Sequence, residues 1–248
     1  MDDPIFTYGI LKYLLDNNIK FTKIIFLENP EITFKRIIIL FLVYGPIYFF
    51  EFVGAYFWWN IFKEGRIKSL CKSRCLEYCS YSNTQLNEVT ILTQNIAPDL
   101  IISINCNVLL PDFLLNTAKF GGVNLHHGSL PFYKGLMPVF YSQLARQKKV
   151  GSSIHLMNSK FDSGAILIQE EISIIPGENY VKIWKRLNII GALNLLKILN
   201  FFELNSVLPS TIVQESVGCY YSLPSIRLAF KYFIMQCNYK FSSLSRQK

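Results

Sequence analysis

Charge is sparse in this 248-residue chain: Asp, Glu, Lys and Arg make up 17% of it, while 51% is hydrophobic. Such a balance excludes a disordered, solvating polypeptide and suits a folded α/β domain with a small appendage. Tight CxxC pairs are missing among the six cysteines, so a soft-metal or iron–sulfur site at Cys71, Cys75 and Cys79 gives way to plain thiols. No H-E-x-x-H helix and no G-x-S-x-G elbow occurs, which argues against zinc hydrolysis and a covalent serine route through Ser129. A secretory leader is not read either: Met1-Asp2-Asp3-Pro4 is acidic and no apolar core follows. The expected setting is cytoplasmic, with reduced thiols. The net charge of +8 favours anionic partners such as a nucleotide, a phosphorylated substrate or an acidic membrane face.

What is present reads as alternating helices and short buried strands. Asp3-Pro4 makes a helix start, and Ile10, Leu11, Leu14 and Leu15 give that helix an apolar face. Strands are expected at 23–27, 98–104, 122–126, 152–157 and 166–174. Helices are expected at 85–95, 111–118 and 138–145, with a helix running into a short strand over 65–80. One long covering helix runs from Asn179 to about Leu204. The division is a domain over 1–204 and a small basic extension over 205–248, too short for a core of its own.

The run from Ile37 to Trp59 has the length of a membrane span, broken by Gly45-Pro46. A span there would put the preceding and following strands on opposite sides of a bilayer, so one sheet could not form. Two readings survive: a helical insert packed on the domain, or a hairpin dipping into the membrane interface. Tyr48, Phe49, Phe50, Phe52, Tyr56, Phe57, Trp58 and Trp59 exceed what one helix buries, which favours a peripheral membrane or partner contact through 37–59.

All three histidines (His126, His127 and His155) fall between Asn124 and Asp162. Asn124 and His126 stand at i and i+2, so on a strand both point to one face, at the strand end where open parallel sheets bind ligands. An amide beside an imidazole donates hydrogen bonds to a developing oxyanion. A carboxylate such as Asp162 tunes the imidazole and accepts protons. The trio suits acyl transfer by direct attack. His127 reads as a packing or surface histidine and His155 as a satisfied core histidine; no metal is assigned.

Asn124-Leu125-His126, then Leu130-Pro131, Tyr133-Lys134-Gly135 and Pro138, then Asp162-Ser163-Gly164, resembles the folate-dependent formyltransferase family, closely over about 96–175. The resemblance implies a doubly wound, mostly parallel sheet. It also implies 10-formyltetrahydrofolate as formyl donor and a primary amine as acceptor. By that resemblance Asn124 and His126 stabilise the oxyanion, and Asp162 keeps the imidazole suitably charged and helps move the amine proton. Asn107, Val108 and Leu109, with Asn158, Ser159 and Phe161, hold the pterin. Gly128, Ser129, Tyr133, Lys134 and Gly135 form the substrate-side loop, Gly128 standing where many members carry serine.

Two departures from the family pattern matter. Members begin with a strand that this sequence lacks, so an in-frame upstream stretch of about ten apolar-rich residues is expected. The residues beyond Leu204 are too few for the tRNA-gripping barrel of methionyl-tRNA formyltransferases, so no nucleic acid partner is expected. The leading expectation is an amino sugar or nucleotide sugar as acceptor. The alternatives are a purine-pathway or tRNA-type formyltransferase, and a catalytically impaired folate-fold protein acting as a membrane-associated scaffold. In either membrane reading the contact is at the inner, cytoplasmic face.

Overall fold

The computed structural model describes residues 7–28, 33–62, 66–215 and 218–245, with side chains except at 55–62, 66 and 240–245. The expected Asp3-Pro4 helix start, and the side chains of Tyr56, Phe57, Trp58 and Trp59, lie outside the described residues. Helix α1 (Tyr8–Asp16) leads into strand β1 (Ile24–Glu28), then α2 (Phe34–Tyr44), α3 (Pro46–Phe62), α4 (Arg66–Ser73) and β2 (Tyr78–Ser82). Next come α5 (Leu86–Ile96), β3 (Ile101–Ile104), α6 (Asp112–Leu115), β4 (Gly122–His126) and β5 (Tyr133–Gly135). Helix α7 (Pro138–Leu144), β6 (Lys149–Leu156), β7 (Ile166–Ser173), α8 (Tyr180–Asn205), β8 (Cys219–Tyr221) and α9 (Ile226–Ser245) complete the order.

The strands form an α/β arrangement with both parallel and antiparallel pairs. β1 pairs with β2 in parallel, β3 with β4 in parallel, and β5 with β8 in parallel. The antiparallel pairs are β4 with β6 and β6 with β7, giving a four-stranded sheet in the order β3-β4-β6-β7. Among the described residues β1 and β3 share no ladder, so the sheet is split between them.

Alternation along β4 decides what each face does. Val123 and Leu125 are buried against α1 and α8, in a core that includes Ile10, Leu14, Leu195 and Ile198. Asn124 and His126 therefore face the other way. Helix α8 has 26 residues, about 39 Å at 1.5 Å per residue, and serves both cores along its length. Its N-cap Asn179 accepts the Val181 N–H at 2.8 Å and donates from Nδ2 to the Tyr44 carbonyl at 2.7 Å. One side chain thus caps α8, a contribution of about 1 kcal/mol, and ties down the end of α2.

The apolar run 37–59 is two helices rather than one. Gly45 takes φ +75° and Pro46 opens α3, so the chain turns between them. α2 is an inner helix: Ile39, Leu40, Val43 and Tyr44 are buried with Val139, Phe140, Ile183 and Leu187. Phe34, Ile47, Phe50 and Val53 remain exposed on the hairpin. Among the described residues, the helix long and apolar enough to cross a membrane is α8, which lines both cores.

The stretch after 204 does not stand apart from the body. β8 adds to β5, and α9 packs against α2 with Ala229 and Tyr232 fully buried. Tyr232 donates to Gln143 Oε1 at 2.6 Å, and burying a ring of that size stabilises by about 2 kcal/mol. Cys71, Cys75 and Cys79 do not share a helical stripe, because α4 ends at Ser73: Cys71 is buried, Cys75 lies in a turn at φ +52°, and Cys79 is on β2.

Candidate active site

The register of β4 against β6 places Asn124 opposite His155, with His126 two residues along opposite Ser153. Both histidines and Asn124 meet one carboxylate, that of Asp162, which the loop between β6 and β7 carries inward. Asp162 Oδ1 lies 3.3 Å from Asn124 Nδ2 and 3.3 Å from His155 Nε2. Asp162 Oδ2 accepts the Gly135 N–H at 2.7 Å and lies 3.6 Å from His126 Nδ1. The aspartate sits at φ +49°, and its backbone carbonyl accepts from Gln214 Nε2 at 3.1 Å. Gln214 also donates to the Gly164 carbonyl at 2.7 Å, so the tail pins the loop on both sides of Ser163.

The proton on His126 is set by its neighbour. Nε2 stands 2.7 Å from the Tyr133 carbonyl, which only accepts, so Nε2 carries the hydrogen and Nδ1 faces the carboxylate. Burial pushes the His126 pKa below its ordinary value of 6.5, against the opposing pull of Asp162. Burial alone would raise Asp162, but His126, the His155 hydrogen bond and the Gly135 N–H outweigh it and hold the carboxyl at about 2. At neutral pH the cluster is a carboxylate beside a neutral imidazole.

His127 points to the opposite side, into the protein. Its Nδ1 meets Ser152 Oγ at 3.0 Å, its Nε2 meets Asn188 Oδ1 at 2.7 Å, and Trp184 packs edge-on. Burial lowers its pKa to about 4, so it is a neutral packing histidine. His155 is placed differently from the satisfied core histidine expected from sequence. Its Nδ1–H is given to the Leu156 carbonyl at 2.7 Å, and Nε2 enters the cluster with Asn124 and Asp162.

A cavity of about 140 Å³ opens over this cluster. Asn124, His126, His155, Asp162 and Gly135 line it, as do Asn107, Val108 and Leu109 from one side and Asn158 and Phe161 from the other. Ser159 is not in its lining. Gly128, Ser129, Tyr133 and Lys134 also stay outside it. A Cβ on Gly128 would sit 2.5 Å from His126 Nε2, so the glycine makes room for the His126–Tyr133 bond. Ser129 Oγ donates to Glu171 at 2.9 Å, and Tyr133 stacks on Tyr221. Lys134 pairs with Tyr220 in the β5–β8 ladder, and Tyr220 reaches the cavity beside Phe161. Gln214 and Tyr220 escaped the sequence reading because nothing local marks them; only the fold returns the tail to the site.

The formyl transferase family model matches residues 65–197, more than half of the chain. The chain is 35% identical over 121 residues to methionyl-tRNA formyltransferase of Enterococcus faecalis, covering 49% of this chain and 39% of that protein. It is 44% identical over 80 residues to GDP-perosamine N-formyltransferase of Brucella melitensis, covering 32% of this chain and 31% of that one. The alignments thus span well under half the length of these curated relatives. In structure, phosphoribosylglycinamide formyltransferase from Bacillus halodurans superposes with a TM-score of 0.62 at 14% identity, over 82% of this chain and 93% of that one. A formyltransferase from Anoxybacillus kamchatkensis, solved with UDP-4,6-dideoxy-4-formamido-L-AltNAc and tetrahydrofolate, gives 0.52 at 24% identity, over 63% and 80%. Both likenesses are of fold. The family match runs through the strand that carries Asn124 and His126 and the loop that carries Asp162, and the chain belongs to the formyl transferase family.

Proposed function

We propose that the protein transfers a formyl group from 10-formyltetrahydrofolate to a primary amine, most specifically that of an amino sugar or nucleotide sugar. The observation that carries this reading is the cluster of half-buried Asn124 with buried His126, His155 and Asp162 at the end of β4, within a formyl transferase match. The donor supplies an activated formyl carbon when bound. The residues suit it: the segment Asn107–Leu109 and the loop residues Asn158 and Phe161 line the cavity beside the cluster. That cavity is small against the about 300 Å³ of a typical ligand site, so it suits the reacting end of a folate rather than the whole.

In this reading the Asn124 amide donates to the oxygen on which negative charge develops as the amine attacks. The amine must lose a proton, and His126 Nδ1, bare in the free protein, takes it while the Asp162 carboxylate balances the new charge. The protonated Nδ1 then donates in its turn to that oxygen and passes its proton to the departing nitrogen of the donor, so the transfer closes without net proton loss. His155 and Gly135 hold Asp162 in place throughout.

The amino sugar acceptor is supported by the 44% identity over 80 residues to the GDP-perosamine enzyme. The exposed Phe34, Ile47, Phe50 and Val53 support peripheral contact of the α2–α3 hairpin with a membrane. Incubating the protein with 10-formyltetrahydrofolate and, separately, amino sugar nucleotides, glycinamide ribonucleotide and methionyl-tRNA tests the reading. Formylation of a sugar amine with matching release of tetrahydrofolate is the expected result; no product with any amine overturns it. A scaffold without catalysis is the second reading, favoured by the split between β1 and β3, and folate binding without turnover would identify it.

A further inference from the structure

The contacts that hold the Asp162 carboxylate differ in strength. Its side-chain neighbours stand off, Asn124 Nδ2 and His155 Nε2 at 3.3 Å and His126 Nδ1 at 3.6 Å. All three are longer than the about 2.9 Å of a firm N–H···O bond. The Gly135 N–H, at 2.7 Å, is the short contact. Asp162 also keeps φ +49°, a left-handed conformation that persists for such a residue only where its surroundings enforce it. Where the carboxylate sits therefore depends on what fixes the backbone of its loop.

The C-terminal tail supplies that hold. Ile212 and Ile166 exchange both backbone bonds at 2.8 Å, an antiparallel bridge at the first residue of β7. Carried two residues further, the same register sets Gln214 opposite Gly164. The Gln214 amide then spans the loop, Nε2 donating to the Asp162 carbonyl at 3.1 Å and to the Gly164 carbonyl at 2.7 Å. Among the described residues neither carbonyl has another donor. Two acceptors facing one amide fix which way it points, because its own oxygen turned toward them would be repelled by both. Beyond Gln214 the tail reaches the other side of the same carboxylate. β8 pairs with β5 and the Leu136 N–H bonds to the Tyr221 carbonyl at 2.7 Å, which sets Gly135 against Asp162. The two bonds of Asp162 at 3.1 Å or less thus both trace to the tail.

We infer that Gln214 is a positioning residue for the proposed formyl transfer, and that the tail, at Gln214 and at β8, presents the Asp162 carboxylate to His126. The inference rests on the pairing of Asp162 with His126 in the proposed function, and adds to it a residue outside the matched span 65–197. Gln214 does not line the catalytic cavity and touches no reacting atom. It acts on Asp162 through the loop backbone, by holding the carbonyls on both sides of Ser163. Without those two bonds the loop relaxes from its left-handed turn and draws the carboxylate away from His126 Nδ1.

The test uses the full chain with Gln214→Met, which keeps the length of the side chain without its donor, and Gln214→Glu, which turns a carboxylate on the two carbonyls. Tyr232→Phe, which removes the bond to Gln143 between α9 and α7, is the stability control. Steady-state kinetics with 10-formyltetrahydrofolate and an amino sugar nucleotide, nitrogen magnetic resonance of the His126 imidazole against pH, and thermal unfolding are read for each. Gln214→Met is expected to lower kcat by about tenfold and Gln214→Glu by more, with both KM values within about twofold of native. The His126 midpoint should fall further below 6.5 in both, because the carboxylate that raises it has withdrawn. Tyr232→Phe should lower Tm and leave kcat and the His126 midpoint unchanged. Native kcat in both Gln214 variants, or an unchanged His126 midpoint, would overturn the inference and leave formyl transfer standing. So would an equal loss of kcat in Tyr232→Phe. If the native protein formylates no amine, the proposed function fails, and the His126 titration alone decides whether Gln214 positions Asp162.

Discussion

Asn124 and His155 face each other across the antiparallel β4–β6 pair, with Asn124 Nδ2 3.2 Å from His155 Nε2. The relationship brings a third polar group to the carboxylate of Asp162, whose Oδ1 lies 3.3 Å from the same His155 nitrogen. His155 thus fixes where the carboxylate sits relative to His126. Replacing His155→Leu should lower kcat by about a hundredfold through misplacement of Asp162, with KM for the amine changed less. Steady-state kinetics of the variant check this, and a change confined to Tm would assign His155 a packing role only.

Gly128 owes its place to the His126 ring. A side chain there would meet His126 Nε2 at 2.5 Å and the Tyr133 carbonyl at 2.6 Å. Gly128→Val, bulkier than the serine many family members carry there, should displace the imidazole from Tyr133 and reduce kcat by ten- to a hundredfold while the fold persists. Nuclear magnetic resonance of the imidazole nitrogens would follow the lost bond directly.

Gly135 is required for a different reason. It adopts φ +88°, donates its N–H to Asp162, and a Cβ would stand 2.3 Å from the Tyr221 carbonyl. Gly135→Ala is expected to destabilise the protein by about 2 kcal/mol or more, through strain at both the dihedral and the contact. Urea unfolding measures it; an unchanged midpoint would mean that β8 does not pack on β5 as described.

Acid sensitivity follows from the two shifted groups. His126 is lowered below 6.5 on folding, so the unfolded chain binds its proton first. That contribution to stability is complete above about pH 6.5 and fades as pH falls. Asp162 is lowered from 3.8 to about 2, so its share is complete above pH 3.8 and disappears by about pH 2. The aspartate shift corresponds to about 2 kcal/mol. Stability against urea should fall in these two windows, and Asp162→Asn should erase the lower one. The pH profile of kcat/KM should show an acid limb below 6.5, where His126 becomes protonated.

Much of this was legible in the sequence because the signals were local. The i, i+2 pair Asn124 and His126 predicts one strand face, and β4 was found over the expected residues. The long helix after Asn179 announced itself by Ile183, Leu187, Ile190 and Leu193 at helical spacing, of which Ile183 and Leu187 are buried and Leu193 is exposed. Register is not local, and there sequence reasoning stopped. Nothing near His155 says that it lies opposite Asn124, so it read as a core histidine. Gln214 and Tyr220 lie 52 and more residues beyond Asp162; Gln214 reaches the site beside the Ile166–Ile212 bridge and Tyr220 where β8 pairs with β5. The break at Gly45-Pro46 in the apolar run 37–59 was legible, but hydropathy does not show that α2 is an inner helix.

In the proposed formyl transfer Asp162, held by Asn124, His155 and Gly135, works with His126. The direct measurement is tetrahydrofolate release from 10-formyltetrahydrofolate, dependent on an amino sugar nucleotide, for the native protein and Asp162→Asn. Turnover by the native protein is expected, with a loss of a hundredfold or more in the variant and its fold intact. Equal rates for the two would contradict it.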